Sequence, residues 1–235
     1  MTVEEELRHW WIRTRLLYLK ACLTGLPAPL DVLEVGCGTG QNLFYIREQP
    51  ELNRAVRRLT GVEPEWPADA PRGSWMGPDD AIHRSLREVT GEQDVLIAMD
   101  VLEHIEDDLD ALTKWIDLLR PGGHVFLTVP ALPSLWSYHD ELLGHKRRYT
   151  LPSLAELAAA AGLERLKANY AFAHVVPAAY LVRKLGSRKR DHAATDLAPT
   201  PRLVNAVLYG AGYVEYSLGG NRYLGTSVFG YYRKA

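Results

Sequence analysis

The sequence predicts an α/β protein: a mostly parallel sheet with helices on both faces. Three observations carry this expectation. Short β-prone runs at 30–35, 56–62, 94–99 and 125–129 read as strands. Helix-forming patterns fall between them, so strands and helices alternate. The strands are apolar nearly throughout, as in a parallel sheet covered on both sides.

Each element follows from its own residues. The run 4–23 reads as one helix, because Leu7, Trp10, Trp11, Thr14, Tyr18 and Ala21 recur at spacings close to helical. Pro27 and Pro29 end it. The strand 30–35 meets Gly36-Cys37-Gly38-Thr39-Gly40, and the run 41–48 looks helical until Pro50. Strand 56–62 ends in Glu63-Pro64. Residues 66–80 are rich in Pro, Gly and Asp and read as loop. A short strand is expected near 82–86. Asp107 and Asp108 favour a helix start, and that helix is expected to run to 119 and stop at Pro121-Gly122-Gly123. Beyond Pro130, the segment 132–149 is dense in Trp, Tyr, His and Arg. An Ala-rich helix at 151–161, a strand at 163–171, an amphipathic helix at 203–218 (apolar at 204, 207, 208, 211, 214 and 218) and a last strand at 226–233 complete the chain.

Composition narrows the function. The chain has 235 residues, 47% of them hydrophobic and 24% charged, enough for one large domain with a buried core. The net charge of −2 advertises no nucleic-acid partner. Two cysteines, Cys22 and Cys37, supply neither a disulfide framework nor a cysteine-rich metal site. The start is acidic (Glu4, Glu5, Glu6), unlike a secretory signal. The longest apolar run, 170–182, is too short for a transmembrane segment, which needs about 20 residues. A cytoplasmic protein is expected; the oligomeric state is open.

The glycine turn is the most informative stretch. A glycine-rich turn between strand and helix lets a ligand approach the backbone. A dinucleotide site wants a glycine where Gln41 stands, and no Gly-Lys-Ser/Thr follows for a phosphate loop. The observed Glu34-x-Gly36-x-Gly38-x-Gly40 resembles the first motif of class I S-adenosylmethionine (SAM)-dependent methyltransferases. Glu63 follows about 20 residues later, where a carboxylate can accept hydrogen bonds from both ribose hydroxyls. Asp100-Val101-Leu102-Glu103-His104 and Leu119-Arg120-Pro121-Gly122-Gly123 resemble the later motifs. His9-Trp10-Trp11-Ile12-Arg13-Thr14-Arg15, Trp136-Ser137-Tyr138-His139-Asp140 and Gly144-His145-Lys146-Arg147-Arg148-Tyr149 resemble a bacterial branch of the same family.

The resemblance implies a Rossmann-like, seven-stranded sheet and a single SAM-dependent methyltransferase domain over 1–235. Residues 1–29 would be a helical cap, 30–130 the SAM-binding core, and 131–235 the substrate-side loop, a late helical insertion and the final strands. It further implies that Gly36, Cys37, Gly38 and Gly40 lie along the SAM methionine moiety, and that Glu34 anchors the loop or the bound amino group. Glu63 would hold the ribose beside Pro64. Met99, Asp100 and His104 would flank the reacting centre, and Arg15, one helical turn from Trp11, would pair with the SAM carboxylate. Where many members read adenine with Gly-Asp, this chain has Ser85-Leu86, so backbone and apolar packing are expected there.

Methyl transfer needs alignment and often removal of a proton from the acceptor. A histidine suits that task, and His145, then His139, are the expected bases, with His104 a weaker third. Tyr138, Arg147, Arg148 and Tyr149 are expected to contact the substrate, the arginines gripping an anion. No Asn/Asp-Pro-Pro-aromatic sequence and no suitably placed cysteine nucleophile occur, which disfavours adenine-N6 and pyrimidine-C5 acceptors; no metal-ligand cluster is evident. The expected function is methylation of an oxygen or nitrogen of a small molecule, anionic or lipid-linked among the options. The alternatives are a SAM- or nucleotide-binding regulator without methylation activity and an NAD-dependent oxidoreductase. The region 172–223, with Arg183-Lys184 and Arg188-Lys189-Arg190, reads as a solvated charged stretch or as a lid over the acceptor.

Overall fold

The computed structural model describes residues 3–185 and 200–235. Its strands are β1 (Leu30–Val35), β2 (Val56–Val62), β3 (Ala81–His83), β4 (Gln93–Met99), β5 (Leu119–Pro130), β6 (Leu163–Ala171) and β7 (Ser227–Lys234). They form one seven-stranded sheet in the order β3-β2-β1-β4-β5-β7-β6. The pairs among β1 to β5 are parallel, and β7 lies antiparallel between β5 and β6. The order reverses where β1 and β4 pair. There the crossovers leave in opposite directions and open a crevice at the strands' carboxyl ends, where open α/β sheets hold ligands.

The helices are α1 (Val3–Glu6), α2 (Trp10–Thr24), α3 (Gln41–Glu48), α4 (Pro50–Ala55), α5 (Asp108–Ile116), α6 (Tyr138–Leu142), α7 (Leu151–Ala160), α8 (Val176–Leu185) and α9 (Arg202–Ser217). One sheet face packs on α5 and α7 through residues such as Trp115, Leu154 and Leu127. The other packs on α2, α3 and α4 through Leu19, Leu43, Leu52 and Ile97. Ile12, Leu16, Leu19 and Leu23 of α2 are at most 3% exposed. At roughly 1.5–3 kcal/mol for each such side chain, their burial matches a whole domain's net stability of about 5–15 kcal/mol. The expected helical cap is therefore part of the core.

Several expectations need correction. The helix expected over 4–23 breaks at 7–9. His9 precedes α2 without a side-chain cap, and Asn205 of α9 caps it instead: its Oδ1 accepts from the Trp10 backbone N–H at 2.8 Å. Trp10, Trp11 and Ala21 are not in the buried set; Ile12, Arg15 and Leu19 are. Helix α5 stops at Ile116, so Pro121-Gly122-Gly123 does not end it. Those residues instead form a bulge within β5, between the pairs Gln93↔Leu119 and Val95↔His124. The expected strand near 82–86 ends at His83, and Ser85-Leu86 begin a short 3-10 turn. On α9 the apolar residues Val204, Val207, Val214 and Leu218 face outward, while Gly212 packs against Thr14 of α2. A Cβ at Gly212 would stand 2.6 Å from Thr14 Oγ1, so glycine permits that close approach. No described helix is long and apolar enough to cross a membrane.

Candidate active site

The site has two halves along the carboxyl edge of the sheet. The first is the turn between β1 and α3. Gly36 and Gly38 have φ of +68° and +51°, a region side chains rarely adopt. A Cβ on Gly36 would strike Val101, whereas one on Gly38 would meet no atom within 4 Å and stand in open space. Gly38 is exposed, so this turn, the cradle, presents bare backbone to open space. Gly40 (φ +78°) opens α3.

Carboxylates organise this cradle. At the end of β2, Glu63 Oε2 accepts from the Gly38 N–H at 2.9 Å and Oε1 from the Glu65 N–H at 3.1 Å. Glu34 is fully enclosed. Its Oε1 accepts from Asn42 Nδ2 at 2.6 Å while Oε2 has no partner. Burial pushes its pKa up to about 8, against the pull of Asn42 and Arg15. Asn42 Nδ2 also lies 3.4 Å from Met99 Sδ. The Cys37 side chain is buried against Gly61, so only its backbone borders the cradle. Pro64 is exposed, Ser85 Oγ accepts from the Arg87 N–H at 3.3 Å, and Leu86 packs on the α5-side core.

Asp100 joins the halves. It leaves β4 with φ +58°, one of three non-glycine residues with positive φ among those described, the others being Leu132 after β5 and Phe172 after β6. Such backbone is costly and is held by surrounding contacts; of the three, Asp100 lines the cavity described next. Arg15 of α2, 5% exposed, pairs with Asp100 at 2.7 Å, donates to Thr128 Oγ1 at 3.2 Å and stacks 4.2 Å over Trp11.

The second half is a cavity of about 290 Å³ between α2, the exits of β4 and β5, and α8. Trp10, Trp11 and Asp100 line one side; Glu103, His104, His139 and His145 line another; Ala179 and Arg183 of α8 close it. Buried Asp140 orders this wall. Its Oδ1 accepts from Arg148 Nε at 2.7 Å and faces His145 Nδ1 at 3.0 Å. Its Oδ2 accepts from the Ser137 N–H at 3.0 Å and from Arg183 at 3.5 Å. Arg148 also donates to the Ala131 carbonyl at 2.9 Å. His145 packs edge-on to His104 with ring centroids 4.7 Å apart. Desolvation and His145 lower the His104 pKa.

The expected residues divide between these halves and the outside. His145, His139, His104, Asp100, Arg148 and Trp11 line the cavity. Three expected substrate contacts lie off the cavity lining. Arg147 turns away to the Ile105 and Glu106 carbonyls and Asp108; Tyr149 is buried and donates to Asp108 at 2.7 Å; Tyr138 is exposed outside the cavity. Sequence reasoning gave no role to Asp140, Glu103, Asn42 or Thr128. Asp140 had one local signal: the short spacings that join it to His145 and Arg148. Arg188-Lys189-Arg190 lie outside the described residues.

A methyltransferase-domain family model matches residues 4–168. A Mycolicibacterium smegmatis protein named as a probable S-adenosylmethionine-dependent methyltransferase is 27% identical over 164 residues, 68% of this chain and 61% of that one. The ubiquinone biosynthesis O-methyltransferase of Xanthomonas oryzae pv. oryzae is 32% identical over 124 residues, 48% of each chain. The chain thus spans less than two thirds of these relatives. The crystal structure of the cyclase SpnF superposes with a TM-score of 0.56 at 20% identity, over 94% of this chain and 80% of that one, a likeness of fold alone. With the family model covering most of its length, the chain belongs to the class I SAM-dependent methyltransferase family.

Proposed function

We propose that this protein methylates an oxygen or nitrogen of a small molecule bound in the 290 Å³ cavity. The observation that carries the reading is the shared wall at Asp100, where the glycine cradle and a histidine-rich cavity meet at one strand end. Bound SAM would supply a methyl group from its sulfonium, and the neutral thioether left behind needs no proton.

The chain's residues have the remaining tasks. The open space at Gly38 admits the methionine portion, and Glu63 presents a carboxylate to the ribose diol. Glu34, enclosed beneath the turn, holds Asn42 in the first turn of α3 and so braces the glycine loop from behind. Arg15, fixed by Trp11 and Asp100, presents a cation to the carboxylate side. In the cavity, Asp140 holds His145 by one ring nitrogen, leaving the other to take a proton from the acceptor; an oriented base of this kind is a recurrent arrangement. Arg148 and Arg183 bring positive charge to the same wall, which favours an acceptor carrying a carboxylate or a similar anion. The O-methyltransferase relative in Xanthomonas oryzae supports an oxygen acceptor.

The experiment is release of S-adenosylhomocysteine from SAM across a panel of phenols, carboxylic acids and amines. Turnover with one class supports the reading. Tight SAM binding with no turnover on any class supports the second reading, a SAM-binding protein without methylation. SpnF, named as a cyclase, shows that this fold hosts other chemistry.

A further inference from the structure

We propose that Glu103, His104 and His145 form a binding site for a divalent first-row transition-metal ion on the wall of the acceptor cavity. Each offers one ligand atom, and these atoms lie within 4.8 Å of one another. A shell with bonds of about 2.0–2.2 Å needs ligand atoms roughly 3–3.5 Å apart, so rotations of about 1 Å would close the set.

The strongest sign is the Glu103 carboxylate. The residue is 1% exposed, it lines the cavity, and neither oxygen has a hydrogen-bond partner. The other cavity carboxylates are matched: Asp100 pairs with Arg15, and Asp140 with Arg148 and Arg183. A buried carboxylate without a partner is costly, and a cation would satisfy it.

The histidines are prepared in the same sense. His145 Nδ1 faces Asp140 at 3.0 Å, and the His104 ring packs edge-on to it with centroids 4.7 Å apart. Metal-ligating histidines usually commit one ring nitrogen to a carboxylate or carbonyl in this way, which fixes the other toward the ion. The 42 residues separating Glu103 from His145 are bridged by the Lys146 N–H, which donates to the Glu103 carbonyl at 2.6 Å. Two imidazoles and one carboxylate suit zinc, iron, cobalt or manganese better than magnesium or calcium, which prefer all-oxygen shells. Positions left open would face the cavity. That the ion would orient an acceptor oxygen or nitrogen rests on the methyl-transfer reading, and with the ion bound His145 serves as a ligand, the ion rather than its ring nitrogen favouring loss of the acceptor's proton; the ion site itself does not rest on that reading.

The test uses the whole chain, freed of metal with a chelator. Cobalt(II) is titrated and followed by visible absorption, zinc(II) by calorimetry, and SAM is titrated separately into the metal-free protein. We expect one equivalent of either metal, at least 100-fold weaker binding of magnesium, and at least 10-fold weaker cobalt binding in Glu103→Gln and His104→Ala. Asp140→Asn should weaken cobalt about 10- to 100-fold by releasing His145. His104 lies at the exposed mouth, so His104→Ala decides the matter if a buried variant fails to fold. No stoichiometric metal, or unchanged binding in His104→Ala, overturns the site. SAM binding without metal binding would overturn the ion site alone; metal binding without SAM binding would overturn the methyl-transfer reading alone.

Discussion

The cradle and the cavity are built by different means. The cradle is a run of backbone: three positive-φ glycines within five residues, tied by one carboxylate at the end of the neighbouring strand. The cavity is assembled from side chains on α2, the β4 exit, the β5 exit, α6 and α8, held by charges buried around Asp140 and Asp100. A backbone site fails when a side chain is added. A side-chain site fails when a charge loses its partner. The two halves should therefore respond separately to substitution.

The largest separation is expected at His145. His145→Ala should lower turnover by about 10²- to 10⁴-fold, with SAM affinity nearly intact. Steady-state kinetics beside SAM calorimetry would check it, and equal losses in both would erase the division. Next is Asp140→Ala, which strands the buried Arg148 guanidinium. Breaking a buried pair costs about 3–5 kcal/mol, read as a lower midpoint in urea. Loss below 1 kcal/mol would mean that Asp140 does not organise the wall.

Glu63→Ala is expected to cost less and only on the cradle side: about 1.5–3 kcal/mol of SAM binding, or roughly 10- to 150-fold in affinity. Unchanged affinity would remove the ribose assignment.

These contrasts also explain what could be read from the chain. Gly36 to Gly40 and Glu63 were legible because backbone conformation is local and the strand pairing that joins them is that of sequential β-α-β units. Arg15 was legible by its helical spacing from Trp11, but its pairing with Asp100 required α2 to lie over the sheet. Glu103 and His145 meet only because β4 and β5 are neighbours and the segment after β5 folds back by the Lys146–Glu103 backbone bond. Arg147 and Arg148 look equivalent in sequence; opposite-facing side chains send one to Asp108 and the other to Asp140. The strand expected to reach Ser85-Leu86 stops short because β3 is only three residues long.

A further effect, gradual rather than abrupt, is a pH dependence in the cradle. Glu34 sits with Asn42, Arg15 and Glu63, and burial holds its pKa at about 8. This folded-state value lies above the ordinary 4.5, so its contribution to stability is full below about pH 4.5 and fades as pH rises toward 8. The slope is at most about 1.4 kcal/mol per pH unit. Glu34→Gln should flatten this profile.

The most direct test of a divided site is calorimetric titration of SAM into the native protein, Gly38→Val and Asp140→Asn, with circular dichroism on each. The open space at Gly38 predicts that the valine variant folds, at some strain from its positive φ, and loses SAM binding. Asp140→Asn, altered only on the cavity side, should bind SAM as the native protein does. A folded Gly38→Val that binds SAM normally would contradict the account, because the glycine turn would then be a turn and nothing more.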